Sequence, residues 1–318
     1  MLEPISPPPT MMTSYRSTGA DATLAAEAGQ SAATMQIGRY DARAVRTATF
    51  RLDGGAMFGI VPRPVWEKEL APDADNRIGL ALRCLLLRGE GRTIVVDTGI
   101  GEKGGTRFDE RFAVAPPPPP GSTRLAGALA ELDVRPEDVT DCVLTHLHWD
   151  HAGGAVAAGP GGALAPQFPR ATYWLQRAHW EHAQAPTERD AGSFRRDDWA
   201  ALDGQLRLVD GAVELLPGVR ARLSGGHTPG LQLVHVDDGA GGGLVYCADL
   251  LPTAHHLRPS WTMGYDLFPA ACAAEKRALL EEAAARGWLL FFEHDPATDA
   301  ATVRFEGDRP LVDRTVAL

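Results

Sequence analysis

Three of the chain's ten histidines fall within one short segment, Thr145-His146-Leu147-His148-Trp149-Asp150-His151-Ala152-Gly153-Gly154. Neutral imidazoles and a carboxylate suit Zn, Fe, Ni or Mn, whereas an all-oxygen calcium site has no use for three histidines. The apolar pair Val143-Leu144 reads as a buried strand leading into the cluster. His146 and His148 are two residues apart, so on an extended segment they project to one side. Asp150 and His151 follow as the chain turns, and approach from another direction. Gly153 and Gly154 permit a sharp turn and a close pass of the backbone to a metal.

Other positions extend the donor set. His227 sits in the turn-rich Gly225-Gly226-His227-Thr228-Pro229-Gly230, Asp249 follows Leu244-Val245-Tyr246-Cys247-Ala248, and His294 follows Leu289-Leu290-Phe291-Phe292-Glu293. Each lies at the carboxyl end of an apolar strand, where loops gather. Singly, Asp249 could cap a turn and His294 could stack on an aromatic ring; with the histidine cluster they can complete two metal sites. His179 and His182, three apart on a predicted helix, read as a solvated face rather than a third metal site. His255 and His256 are candidate hydrogen-bond donors to a substrate.

The elements that must position these groups follow from patterning. Strands are expected over 45–52, 80–87, 93–96, 143–144, 171–175, 206–209, 219–223, 231–236, 244–247, 289–292, 302–305 and 311–316. Gly54-Gly55 reads as a turn, Pro64 as the opening of a helical turn through 66–70, and 122–132 as a short helix. The clearest helix is 270–286, with Leu279, Leu280 and Ala283 on one face and Gly287 as its stop. Five prolines at 116–120 predict a stiff surface spacer. Two strand-rich halves with interspersed helices predict two packed sheets covered by helices.

Composition limits the partners. The net charge of −10 repels phosphate backbones and the chain has no dense Lys/Arg run, so no nucleic-acid partner is expected. No apolar run is long enough to span a bilayer, and no membrane association is expected. The four cysteines form no CxxC pair, which speaks against a thiolate site or disulfide scaffold and permits a reducing compartment. Residues 1–39, rich in Pro, Ser, Thr, Gly and Ala, read as a flexible arm, and 40–318 as one domain. A cytoplasmic location is expected, with an export or organellar leader left open.

The order HLHWDHAGG, GGHTPG, CAD and FEHDP resembles the metallo-β-lactamase-fold hydrolases over residues 45–318. The resemblance implies a four-layer αββα sandwich. It implies that His146, His148 and His227 bind one metal, that Asp150, His151 and His294 bind a second, and that Asp249 bridges them. Asp97, at a strand end, matches the family's early aspartate that supports the ligands. Asp249 stands where several true β-lactamases carry cysteine, and Cys247 is expected to face away from the metals. His148 in place of Glu argues against flavodiiron oxidoreductases. The stretch Met57-Phe58-Gly59-Ile60-Val61-Pro62-Arg63-Pro64-Val65-Trp66, with Asn76-Arg77-Ile78, resembles the quorum-quenching lactonase and organophosphate-hydrolase branch.

A dinuclear hydrolase is therefore expected, with two divalent ions (zinc first, iron, cobalt or manganese as alternatives) acidifying a bridging water whose hydroxide attacks a small lactone or ester. An acyl-homoserine lactone is the first expected substrate, and Asp150 the proton shuttle to the leaving group. Phe58 and Trp149, with Met57, Trp66, Trp261 and Met263, are candidates for an apolar mouth. Competing readings are a phosphotriesterase with the same centre, a mononuclear iron dioxygenase acting on glutathione persulfide, and a metal-dependent sensor. A homodimer is possible, with 57–66 as its candidate contact.

Overall fold

In the computed structural model, residues 34–318 are described. The first sheet takes strands β1 (Met35–Ile37), β2 (Tyr40–Asp53), β3 (Arg77–Gly89), β4 (Arg92–Val96) and β5 (Asp141–Val143). A small ribbon, β6 (Val156–Ala158) with β7 (Leu164–Pro166), intervenes before β8 (Thr172–Gln176) and β9 (Leu206–Val209) complete the sheet in the order β1-β2-β3-β4-β5-β8-β9. The second sheet runs sequentially through β10 (Val213–Leu216), β11 (Val219–Ser224), β12 (Leu231–Asp237), β13 (Gly243–Tyr246), β14 (Leu289–Phe291), β15 (Ala300–Glu306) and β16 (Arg309–Val316). Each sheet takes one contiguous stretch of the chain, and the strands expected over 171–175 and 206–209 close the first sheet rather than opening the second.

Alternation along the central strands explains the layering. In β3, Leu85 and Leu87 point into the core shared with the second sheet, while Cys84 and Leu86 point to the outer face. Strand β4 repeats this, with Ile94 and Val96 inward and Val95 outward. Strands buried on both faces read as continuous apolar runs, which is why 80–87 and 93–96 stand out in the sequence. The outer face of the first sheet is covered by α4 (Arg124–Ala130), through Leu125 and Leu129, and by Ala183 of α5 (Arg177–Gln184). The second sheet carries α6 (Pro269–Arg286), which buries Cys272, Leu279, Leu280 and Ala283 and ends at Gly287 with left-handed backbone. The architecture is the αββα sandwich.

Local departures have local causes. Gly54-Gly55 does not make a simple turn but opens α1 (Gly54–Phe58), because the Asp53 carboxylate accepts the Ala56 N–H at 2.7 Å and caps the helix. The proline-led turn is α2 (Arg63–Trp66), which opens one residue earlier than expected and ends at Trp66 instead of Leu70. The helix expected over 122–132 is shorter, starting after Thr123, whose side chain caps Ala126 N. An additional helix, α3 (Gly105–Phe112), is exposed on most of its surface, and its apolar face is the pair Phe108 and Phe112, too short a pattern to mark it in the sequence. The expected arm falls mostly outside the described residues, but Met35–Ile37 already pairs with β2 as an edge strand. Within 57–66, Met57, Phe58 and Trp66 are buried, which leaves Ile60 and Val65 as its exposed apolar side chains. Among the described residues, no helix is long and apolar enough to cross a membrane.

Candidate metal centre

Parallel pairing of β4 with β5 and of β13 with β14 brings their carboxyl ends to one edge of the sandwich. Asp97 follows β4, His146 to His151 follow β5, His227 follows β11, Asp249 lies in a single turn after β13, and His294 follows β14. Asp97 (φ 57°) and Ala248 (φ 45°) hold left-handed backbone beside the cluster, a local strain that the surrounding sheets must offset.

Two groups of donors result. Ligand atoms of His146, His148, His227 and Asp249 lie within 4.8 Å of one another, and so do those of Asp150, His151 and His294. In the first group, His227 Nε2 lies 3.2 Å from His148 Nδ1 and 3.2 Å from Asp249 Oδ2. In the second, His151 Nε2 and His294 Nε2 are 3.2 Å apart, and each stands 3.3 Å from Asp249 Oδ1. Asp150 Oδ2 is 3.8 Å from His294 Nε2. Asp249 thus turns one oxygen to each group. Donors about 2.0–2.1 Å from a common cation at the tetrahedral angle stand roughly 3.3 Å apart, the spacing seen among His148, His151, His227, His294 and Asp249, while His146 Nε2 stands 4.0 Å from Asp249 Oδ2. His146 Nε2 is buried and has no hydrogen-bond partner, although its ring is fully enclosed. Such an orphaned nitrogen facing other lone pairs fits a cation between them.

The outward ring nitrogens of His146, His151, His227 and His294 are engaged, whereas His148 turns Nδ1 to the cluster and its buried Nε2 has no partner. His146 Nδ1 lies 3.0 Å from Thr145 Oγ1, and that hydroxyl donates to Asp97 Oδ2 at 2.7 Å. Thr145 N–H donates to the other Asp97 oxygen, also at 2.7 Å. His227 Nδ1–H meets Asp266 Oδ1 at 2.8 Å, and His294 Nδ1–H meets the Ala81 carbonyl at 2.9 Å. His151 Nδ1–H is shared between Glu293 Oε2 at 2.8 Å and Asp97 Oδ2 at 3.1 Å. These partners place the protons outward and leave the Nε2 lone pairs directed inward.

Electrostatics agree with a site built for positive charge. Burial, together with the neighbouring imidazoles, holds His146 and His148 well below the usual histidine range. Burial also presses on His151, His227 and His294, but the facing carboxylates win. Glu293 and Asp249 carry His151 well above the usual range, Asp249 and Asp266 raise His227, and the hydrogen bond to Asp249 brings His294 to about 9. Asp249 is itself held well below the carboxylate range, against its burial, by His151 and His227. Burial pushes Glu293 up to about 7.

The remaining sequence-predicted residues divide. Trp149 is half-buried, with its ring against Phe50, Phe108 and Phe112 at centroid distances of 6.2, 5.1 and 4.9 Å. Phe58 and His256 are buried and stacked on each other, and both His256 nitrogens are engaged, with Thr253 Oγ1 at 2.7 Å and the Met57 carbonyl at 2.9 Å. They brace the wall and have no surface to offer a substrate. His255 faces Glu69 at 3.2 Å on the outside. His179 is fully buried, neither a solvated residue nor a ligand. Gly153 and Gly154 approach the backbone of 98–100 rather than the donor atoms, since a Cβ at either would lie 2.2 Å from the Ile100 or Thr98 oxygen. Cys247 is buried in the inter-sheet core, away from the donors.

Asp266, Glu293, His179 and Tyr265 escaped the sequence reading as supports of the site. Glu293 adjoins His294 in FEHDP, and Asp266 lies in Met263-Gly264-Tyr265-Asp266, so both sat in plain view without a spacing signal. Tyr265 is 37% exposed, and burial with the carboxylates of Asp150, Asp53 and Asp249 keeps its phenol protonated.

A strand-end cluster of imidazoles sharing one carboxylate on an αββα frame defines a metal-dependent hydrolase. Residues 80–294 match the Metallo-beta-lactamase superfamily model, and the chain belongs to that superfamily. An N-acyl homoserine lactonase from Bacillus cereus is 28% identical over 226 residues, covering 69% of this chain and 83% of the relative. A probable metallo-hydrolase from Mycobacterium tuberculosis is 30% identical over 156 residues, 46% of this chain and 47% of that protein. A probable metal-dependent hydrolase from Staphylococcus aureus superposes with a TM-score of 0.78 at 25% identity, covering 89% of this chain and 99% of its own. The dizinc quorum-quenching lactonase AidC, solved with an N-hexanoyl-L-homoserine product, superposes with a TM-score of 0.70 at 20% identity, covering 90% and 97%. The His/Asp clusters support binding of divalent metal.

Proposed function

We propose that the chain is a dinuclear hydrolase of small lactones or esters, with an N-acyl homoserine lactone as its first substrate class. One cation would be held by His146, His148 and His227, the other by Asp150, His151 and His294, with Asp249 between them. The carrying observation is the sharing of Asp249, one oxygen 3.2 Å from His227 and the other 3.3 Å from both His151 and His294. Four nitrogen and oxygen donors around each position favour zinc. Bound there, the cations supply an acidified water and an electrophile for the carbonyl oxygen.

The chain's own residues do the rest. Asp150 lies at the edge of the cluster, 3.8 Å from His294, where its carboxylate can take the proton from the attacking water and pass it to the leaving alkoxide. Tyr265 is 37% exposed, and its phenol, kept protonated by burial and nearby negative charge, can donate to a substrate oxygen. Trp149, braced by three phenylalanines, offers an apolar surface to an acyl chain. The Bacillus cereus lactonase relative supports the substrate class. A single octahedral iron would leave Asp150, His151 and His294 without a task. Self-association through 57–66 would rest on Ile60, 87% exposed, and Val65.

Metal analysis and a substrate panel test the reading on one preparation. Two zinc-like ions per chain and hydrolysis of a homoserine lactone in preference to an aryl ester or a phosphotriester are expected. One iron per chain, or no hydrolysis of any of the three with both sites filled, overturns it.

A further inference from the structure

The imidazole of His179 is fully enclosed and serves no donor cluster, yet both of its nitrogens are occupied by backbone. Its Nε2 accepts the Leu147 N–H at 2.8 Å, and its Nδ1–H donates to the Pro229 carbonyl at 2.9 Å. Leu147 is the residue between His146 and His148. Pro229 is two residues beyond His227. One side chain therefore ties the two loops that carry the three histidines of the first donor group, from a helix, α5, that contributes no donor itself.

A second contact closes the same joint. Gly230 has a φ of +74°, and a Cβ placed there would lie 2.4 Å from His179 N and 3.0 Å from the Ala178 carbonyl carbon. The loop after His227 approaches α5 as closely as glycine allows. Further along the helix, His182 Nε2 meets Asp190 at 2.6 Å and fixes the segment leading to Phe194, whose ring lies 4.9 Å from that of His148. Burial holds His179 down at about 3, so it stays the neutral tautomer that both bonds require.

We propose that His179 is a positioning residue that sets the distance between the His146/His148 loop and the His227 loop, and through it the affinity of the first cluster for its cation. The proposal rests on the metal reading above. Without His179, the Leu147 N–H and the Pro229 carbonyl lose their partner, and the loops can drift by more than a coordination bond tolerates. His179 makes no hydrogen bond to Asp150, His151 or His294, and the second cluster is expected to respond less, since His151 reaches this joint only through the His148 carbonyl.

The test is zinc titration of the full, metal-stripped chain against a chromophoric chelator. In the wild-type chain, His227→Ala and His294→Ala each abolish one affinity class and so assign the two. His179→Phe, which keeps the ring volume but neither donor nor acceptor, is expected to weaken the His227 class about tenfold or more and leave the His294 class within a few-fold. Equal weakening of both classes, as from general destabilisation, overturns the proposal, as does no change in a folded protein. Should the Phe variant not fold, Gly230→Ala loads the same joint from the other side, and the same selective loss is expected. A wild-type chain that binds no zinc refutes the metal reading itself, whereas unchanged zinc binding by both variants refutes only the role of His179.

Discussion

Replacing Asp266 by asparagine tests the electrostatic support of His227 with almost no change in shape. The carboxylate accepts two buried donors, His227 Nδ1–H on Oδ1 and Met263 N–H on Oδ2, both at 2.8 Å. Asparagine offers one acceptor oxygen and one amino group, so in either orientation one of those N–H groups faces another donor. An orphaned buried donor costs about 1–3 kcal/mol. The change also removes the negative charge that faces Lys276, whose buried ammonium already sits down at about 8. Taking about 2 kcal/mol as the central cost, either the metal-stripped fold loses that much stability or, where the His227 ring turns to escape the clash, cation affinity at the first cluster falls ~30-fold, since about 1.4 kcal/mol is a factor of ten. Urea unfolding of the metal-stripped chain reads the orphaned donor directly, and chelator competition reads the affinity. If Asp266→Asn matches the wild-type chain within about 0.5 kcal/mol in unfolding and in zinc affinity, the bonds drawn here are not those that hold His227.

Three further outcomes are expected. Asp150→Asn should keep both ions yet lose at least ~100-fold in kcat, and full turnover with both ions bound would discard the proton shuttle. Glu293→Gln should weaken zinc at the second cluster about tenfold, because Glu293 is the nearer of the two carboxylates that hold His151; an unaltered titration would assign that work to Asp97 alone. Lys276 is buried and donates to the Trp261 carbonyl at 2.7 Å, and burial lowers it from 10.5 to about 8. Between those two values the native chain holds fewer protons than the unfolded one, so stability rises with pH through that window, by up to about 3 kcal/mol. Lys276→Met should flatten the rise in urea unfolding measured from pH 7.5 to 10, and parallel curves would contradict it.

Several features were legible in the sequence because they are local. Alternating and continuous apolar runs follow from which strand faces are covered, so both halves of the sandwich, and β3 and β4 above all, could be read directly. The spacing of His146, His148, Asp150 and His151 needs only an extended segment that turns. The departures were tertiary. Gly54-Gly55 reads as a turn until Asp53 caps it into a helix. The ring of His256 reads as a substrate donor until Phe58 stacks on it and Met57 takes its last free nitrogen. His179 and His182 share a helical spacing that means solvent on a surface and something else when the loops of His146 and His227 close over it.

Sequence by itself thus determined the types of donor, their order and the strand ends that carry them, since these depend on chemistry and on short-range geometry. Only the tertiary structure decided which donors share a cation and what holds each ring. Asp249 and His294 are distant in sequence from His151, and their 3.3 Å and 3.2 Å separations come from the parallel pairing of β13 with β14 and the packing of one sheet on the other. The supports of the rings, Asp266 for His227 and Glu293 for His151, are ordinary acidic residues with no periodicity to betray them. Their role is set by where a long-range fold leaves a buried N–H in need of an acceptor.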